Sequence, residues 1–158
     1  MKKIMICLTA ALAVLVLNTS CSSSDDDYDY EKFVTKLIAH NWEGHHTSQY
    51  RELGSWIDHG TEYVAMKFTR TGTKLEGTGT QIIFENSYKT KETDRSDFKW
   101  YISGERIYLE YSKGWSTVDE KCIDCTMNDT NFKGFWHNTK DAERRFKFDY
   151  IPLAEVNF

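Results

Sequence analysis

The 158-residue chain has little proline and no strong excess of either charge. One proline and nine glycines are too few for a collagen-like chain or a Pro/Gly-rich disordered chain. With 20 basic and 24 acidic residues the net charge is -4, which argues against a nucleic-acid-binding protein. Aromatic residues make up 15% of the chain, a high share that argues for a packed core. The length allows one domain with a short tail.

Sequence signatures of catalysis and of metal binding are also missing. The chain contains no His-Glu-x-x-His, no Gly-x-Ser-x-Gly elbow and no glycine loop of the nucleotide-binding kind. His45 and His46 are adjacent, and neighbours on a strand face opposite sides, so they cannot chelate one ion together. His46 shares the parity of Trp42 and is assigned to the inner face. The sequence predicts a protein that is not an enzyme and holds no metal or cofactor.

The N-terminus has the three parts of a secretory signal peptide. Lys2 and Lys3 supply a positive start, and Ile4–Leu17 is an apolar stretch that is short for a membrane span. Small residues precede Cys21, as at a cleavage site. The sequence therefore predicts a signal peptide over residues 1–20. An uncleaved membrane anchor is the alternative.

The cysteine after the small residues resembles the lipobox of bacterial lipoproteins, although Asn18 stands where the usual leucine stands. The following SSSDDDYDYE resembles the acidic stalk of surface lipoproteins of Bacteroidota. The resemblance implies that Cys21 becomes the mature N-terminus and carries acyl chains such as palmitate. Residues 21–29 would then be a disordered Ser/Asp tether. The implied location is the outer membrane, with the body lipid-anchored and exposed at the cell surface.

Two cysteines remain in the body, Cys122 and Cys125 in KCIDCT. A C-x-x-C pair can be a redox site, half of a zinc site or a local disulfide. No second pair supplies further zinc ligands, and no βαβ context surrounds the motif. In a regular strand the two residues lie about 10 Å apart, too far for a disulfide unless a bulge or turn closes the gap. Two separate thiols and a local disulfide both stay open.

The body opens with one short amphipathic helix and continues in strands. Residues 29–40 place Phe33, Val34 and Leu37 on one face, and Asp29 can cap the start. This stripe predicts a helix that lies against a sheet or a barrel end. From Trp42 onward the hydrophobic period is two, in eight runs bounded by turn residues. The runs are Trp42–Arg51, Thr61–Thr71, Glu76–Glu85, Ser96–Ile102, Arg106–Tyr111, Ser116–Thr126, Asn131–His137 and Glu143–Ile151.

The spacing of the runs predicts the fold class. Mostly short connections favour an antiparallel meander, and eight such strands can close into a barrel that leaves no open edges. We therefore expect an all-β protein: an eight-stranded antiparallel up-and-down barrel with one short N-terminal helix, over residues 30–158. Residues 52–60 and 86–95 are expected to be the longest connections. A β-sandwich is the competing architecture.

Four segments, LIAHNWEG, FTRTGTKLEGTGTQIIF, FKWYISGERIYLEY and NFKGFW, make the body similar to the lipocalin-like domains of Bacteroidota lipoproteins. The similarity spans residues 33–150 and implies a lipocalin-like barrel. It also implies that Trp42 packs across the closed end, beneath a basic side chain supplied by Arg144 or Arg145. An ordinary core position for Trp42 is the alternative.

Two functions suit such a barrel. In the first, the inward aromatic and aliphatic residues line a pocket for a small apolar or amphipathic ligand, although core filling explains them as well. The candidates are Met66, Phe68, Phe84, Trp100, Leu109 and Phe148. In the second, the barrel is filled, and outward aromatics such as Tyr101, Tyr108 and Trp115 dock a glycan or a protein partner. The only other expected partner is the membrane, through the lipid anchor.

Overall fold

The computed structural model describes residues 29–104, 106–112, 120–153 and 158. Within these ranges the chain forms one helix and eight strands. They are α1 (Tyr30–Ala39), β1 (Trp42–Glu52), β2 (Ser55–Arg70), β3 (Glu76–Phe84), β4 (Glu92–Ser103), β5 (Arg106–Tyr111), β6 (Glu120–Met127), β7 (Phe132–Asn138) and β8 (Arg144–Pro152). The predicted signal peptide, Cys21, nearly all of the tether, Trp115 and the start of the sixth run lie outside the described residues.

The strands form a closed barrel. Each strand pairs antiparallel with the next one in the chain, and β8 pairs back with β1. The shortest ladder joins β5 to β6 through Tyr108↔Lys121 and Leu109↔Glu120. The predicted eight-stranded antiparallel up-and-down barrel with one short N-terminal helix is therefore confirmed, and the sandwich is excluded.

Helix α1 begins where its capping residue predicts. A side-chain oxygen of Asp29 accepts a hydrogen bond from the Lys32 backbone N–H at 2.9 Å, which satisfies one of the free donors of the first turn. Val34 and Leu37 are fully buried against the barrel core. The apolar stripe thus covers a barrel end, as expected.

Ion pairs show which end of the barrel α1 covers. Glu31 pairs with Arg70 at the end of β2, with an N–O distance of 2.8 Å. Lys36 pairs with Asp129 in the β6–β7 connection at 2.6 Å. Since β1 starts at the same end, α1 closes the end that holds Trp42, and the β1–β2 hairpin projects from the opposite, open end.

The β1–β2 connection differs from the prediction. Residues 52–60 were expected to form a long loop, but the turn is only Leu53-Gly54, and β2 starts at Ser55. Both turn residues have positive φ, 50° and 85°, as a two-residue hairpin of the twist-matched kind requires. Leucine rarely adopts this conformation, so Leu53 is not a residue that marks the start of such a turn. Strand β4 likewise starts at Glu92 instead of Ser96.

Cys122 and Cys125 form a disulfide. Their Cα atoms are 6.0 Å apart, because the register between β6 and β7 shifts at this point and Asp124 takes a positive φ of 53°. The bulge supplies the approach that a regular strand cannot give. Of the two alternatives left open, the structure therefore contains the disulfide.

Candidate functional site

Five of the six predicted ligand-lining residues lie on the inner face, in the main core. They are at most 3% exposed and pack with other buried aromatics. They are Met66, Phe68, Trp100, Leu109 and Phe148. At this depth of the barrel they fill the interior as core residues.

Phe84 is the exception, and its assignment to the inner face is wrong. It pairs with Tyr63, which lies one residue out of phase with the inward Val64, so both rings face outward. Phe84 belongs to a second cluster that the C-terminal residues Leu153 and Phe158 cover. Alternation in β3 pointed to the wrong face because apolar residues occur at both parities there: Ile82 and Phe84 face outward and Ile83 inward.

Trp42 closes the helix-covered end of the barrel. It is fully buried, its indole N–H donates to the Leu37 carbonyl of α1 at 2.9 Å, and Phe132 meets it edge-on with a centroid distance of 5.5 Å. This hydrogen bond holds the C-terminal end of α1 against the closed end of the barrel.

The predicted stacking of Arg144 or Arg145 on Trp42 is wrong. In the β1–β8 register Trp42 faces Pro152, whereas Arg144 faces Tyr50, eight residues further along β1. At about 3.3 Å per residue the two levels are roughly 26 Å apart along the strand. Both arginines therefore sit at the open end.

Arg145 faces outward and holds the β1–β2 hairpin against the barrel. Its guanidinium lies 4.1 Å from the ring centroids of both Trp56 and Phe135. Its Nε–H donates to the Gln49 side chain at 2.8 Å, and Gln49 in turn donates to Asp58 at 2.6 Å. Desolvation in this sandwich lowers the pKa of Arg145. Arg145 therefore has a structural role on the outer wall of the barrel.

Arg144 faces inward and is the charged centre of the open end. Its guanidinium carbon lies 4.9 Å from the Phe146 ring centroid and 5.5 Å from that of Tyr50, within cation–π range. Its Nε–H is buried and has no hydrogen-bond partner in the described part of the chain. An unsatisfied buried donor costs about 1–3 kcal/mol, so this group is held at some expense to stability.

His46 lies on the same inner wall. It is 5% exposed, its ring packs against Phe146 at a centroid distance of 4.5 Å, and its Nε2 is also without a partner among the described residues. Burial and then the charge of Arg144 lower the pKa of His46 to about 3. The imidazole is therefore neutral at physiological pH. The inward assignment of His46 from strand parity is confirmed.

Two carboxylates, those of Glu62 and Asp94, lie on the inner face of other strands. Glu62 pairs with His46 across the β1–β2 ladder, and Asp94 lies on β4. Desolvation raises the pKa of Glu62. The positive charge of Arg144 lowers this pKa, and the negative charge of Asp94 raises it further. The carboxylates and the guanidinium therefore share one electrostatic environment in the barrel.

The inner wall changes character along the barrel axis. At the helix end its residues are apolar and fully buried, whereas toward the open end they are polar and partly reached by solvent. The accessible inward residues are Ser48, Tyr50, Glu62, Asp94, Arg144 and Phe146. The open end is thus the part of the interior that solvent reaches, and Glu62 and Asp94 are the residues that sequence reasoning missed. Glu62 has the same strand parity as the inward Met66, and Asp94 the same as the inward Trp100, which could have indicated that both face the interior.

Two hollows lie away from this wall. One of about 190 Å³ sits beside the disulfide, between Phe33 of α1 and Arg106. It is smaller than the usual 300–1,000 Å³ of ligand pockets. The other, of about 330 Å³, lies on the outer face beside Tyr101, Lys99 and Glu110. Tyr101 and Tyr108 stack there at a centroid distance of 5.0 Å, so this pair faces outward as predicted.

Comparison of the chain with protein-family models and with curated proteins found no match. Within the described residues no helix is both long and apolar enough to cross a membrane. In the same ranges no three His, Cys, Asp or Glu side chains are grouped as metal ligands.

Proposed function

We infer that this protein is a lipid-anchored envelope lipoprotein whose lipocalin-like barrel binds a small amphipathic ligand at its open end. One observation carries the ligand-binding part: the inner wall is apolar and packed at the helix end but polar and accessible at the other. A barrel with only a structural role gains nothing from buried donors without partners. A pocket with apolar walls and a few polar groups is the usual form of a small-molecule site.

The envelope location draws its support from the N-terminus and from the disulfide. The signal-peptide pattern of residues 1–20 ends at Cys21, the expected lipidation site. A disulfide such as Cys122–Cys125 persists in oxidising compartments, to which such a signal leads. Replacing Cys21 with alanine should move the protein from the membrane fraction to the soluble one. Unchanged partitioning on ultracentrifugation would refute lipidation.

The placement of α1 also suits a ligand that arrives from outside the cell. The helix directly follows the tether and covers the closed end of the barrel. A chain anchored at Cys21 would hold that end toward the membrane. The open end, with Arg144 and the β1–β2 hairpin, would then point away from the bilayer.

Native mass spectrometry tests ligand binding directly. The purified full-length chain is incubated with an envelope lipid extract, and we expect a bound mass of one small molecule per chain. Ser48→Trp places a large ring on the inner face of the open end and should abolish the added mass. Lys147→Trp is the matched control, because Lys147 is exposed on the outer face at a neighbouring level, and it should retain binding.

Two results would contradict the proposal. One is an unmodified wild-type mass after incubation. The other is equal binding by wild type and Ser48→Trp, because a ligand at the open end cannot share that space with an inward indole. Far-ultraviolet circular dichroism shows whether each variant keeps the barrel.

A second function is favoured by the Tyr101–Tyr108 pair. Its stacked rings stand beside the outer hollow, where Thr78, Lys99 and Glu110 supply polar groups, and such a platform suits a sugar ring. A glycan array probed with wild type, Tyr108→Ala and the control Tyr88→Ala tests this alternative. A blank array, or equal signals for the two variants, would exclude it.

A further inference from the structure

Three buried nitrogen atoms on one side of the barrel interior have no hydrogen-bond partner in the described residues. They are Nε of Arg144, Nε2 of His46 and the indole nitrogen of Trp136. The arginine and indole nitrogens can only donate, and the neutral imidazole can donate or accept, depending on its tautomer. What this wall offers a ligand is therefore mainly hydrogen-bond donors.

The register brings these three residues together. Trp136 on β7 pairs with Phe146 on β8, and His46 on β1 pairs with Phe148, the next inward residue of β8. Arg144 is the inward residue on the other side of Phe146. All three side chains therefore surround Phe146 on the inner faces of three adjoining strands.

Phe146 covers the donors of its two polar neighbours. Its ring packs on His46 and lies under the Arg144 guanidinium, and its own side chain is only partly buried. A ligand would reach these two nitrogens only after a rotation of the Phe146 side chain. The ring, together with Tyr50, then offers an apolar surface to a ligand.

The charges around this wall disfavour an ionic ligand. Arg144 supplies one positive charge, and the Glu62 carboxyl interacts with both Arg144 and Asp94. A carboxylate ligand would gain from Arg144 but be repelled by Glu62 and Asp94. An ammonium group would be repelled by Arg144, and it has no lone pair to accept a hydrogen bond from the unpartnered donors of this wall. An uncharged oxygen acceptor takes the hydrogen bonds without either penalty.

Resting on the proposed ligand-binding function, we propose that the open end binds a small uncharged molecule that has a ring-sized apolar body and a hydroxyl or carbonyl oxygen. The oxygen accepts hydrogen bonds from Arg144 and its neighbours. The apolar body lies against Phe146 and Tyr50. The ligand must be short, because the inner residues toward the helix end are already packed.

Four probes with one ring and different head groups test the proposal. They are 2-phenylethanol and phenylacetamide, which are uncharged acceptors, phenylacetate, an anion, and 2-phenylethylamine, a cation. Binding to the full-length chain is measured by calorimetry and by the ¹⁵N–¹H shift of the Trp136 indole. We expect the uncharged probes to bind at least tenfold more tightly than the ions and to shift the Trp136 signal.

Arg144→Met keeps the length of the side chain and removes its donors, and it should weaken phenylacetamide about tenfold. Arg95→Met is the control, since Arg95 is on the outer face and donates its hydrogen bonds to Glu92. The indole shift is read on wild type, so the test survives a variant that does not fold.

The outcomes separate this inference from the function on which it rests. Tighter binding of either ionic probe, no indole shift, or an unchanged affinity of folded Arg144→Met for phenylacetamide would overturn it. If all four probes fail while a lipid extract still adds a mass that Ser48→Trp removes, the chemistry proposed here is wrong and the ligand-binding function stands. If neither probes nor extract bind, both are wrong.

Discussion

Acid should destabilise this barrel through one residue, His46. Its pKa is about 3 in the folded protein, against an ordinary value of 6.5. Between these two values the unfolded chain binds a proton that the folded chain does not, so stability falls as the pH is lowered through this window. Above pH 6.5 the contribution of His46 is fully present.

The expected loss at pH 5 is about 2 kcal/mol relative to pH 7.5, at 1.36 kcal/mol per pKa unit. Because pH 5 lies well above the folded pKa, the size of the loss depends almost entirely on the unfolded value. Other groups also titrate in this range, so the quantity to measure is the difference between wild type and His46→Gln.

Urea unfolding at pH 7.5 and pH 5, followed by tryptophan fluorescence, gives this difference. His46→Gln should lose about 2 kcal/mol less than wild type between the two pH values, because glutamine has no proton to bind. His45→Gln is the matched control: His45 is exposed on the outer face of the same strand, so that variant should lose as much as wild type. Equal losses for wild type and His46→Gln would refute the reasoning.

Three further outcomes are expected. Gly79→Ala should destabilise the barrel by about 1–3 kcal/mol in urea unfolding, because a Cβ there overlaps the Phe98 ring, whereas Gly60→Ala, with open space around it, should not. Glu62→Gln should raise the melting temperature at pH 7 but not below pH 4, because the raised pKa of Glu62 means that stability falls as the pH rises past 4.5; equal melting curves at pH 7 would count against this. Cys125→Ser should cost about 2 kcal/mol, the loop-entropy value for so short a ring, and reducing agent should then leave the variant unaffected while it destabilises wild type.

Strand alternation predicted the barrel because most strands carry apolar residues at one parity only. Phe146, Phe148 and Tyr150 alternate with Arg145, Lys147 and Asp149, and the structure places these two sets on the inner and outer faces. A closed barrel of eight strands follows from this pattern and from mostly short connections.

The same reasoning failed where a second apolar surface exists. Phe84 faces outward because the C-terminal residues Leu153 and Phe158 cover it, a tertiary contact that no local pattern in β3 encodes. The hairpin at Leu53 was missed for a different reason: the barrel holds a leucine in a backbone conformation that usually marks glycine or asparagine. Both errors come from long-range structure that overrides local preference.

The level of Arg144 in the barrel was also beyond reach, because it depends on the β1–β8 register. That register pairs residues about a hundred positions apart, and only barrel closure determines it. With Arg144 opposite Tyr50, the polar residues at inward positions of other strands form one group instead of separate exceptions to the apolar pattern. His46, Glu62 and Asp94 lie on the inner faces of three other strands, β1, β2 and β4.

The cost of this arrangement is the strongest reason to assign function to it. Apolar residues of similar size at Arg144 and His46 would satisfy the same packing and remove two unpartnered nitrogens, and such replacements of buried polar groups are often stabilising. The barrel instead keeps them at the end that solvent reaches. A polar wall at the end that solvent reaches is what a binding site requires, since binding there satisfies the donors that folding leaves unpaired.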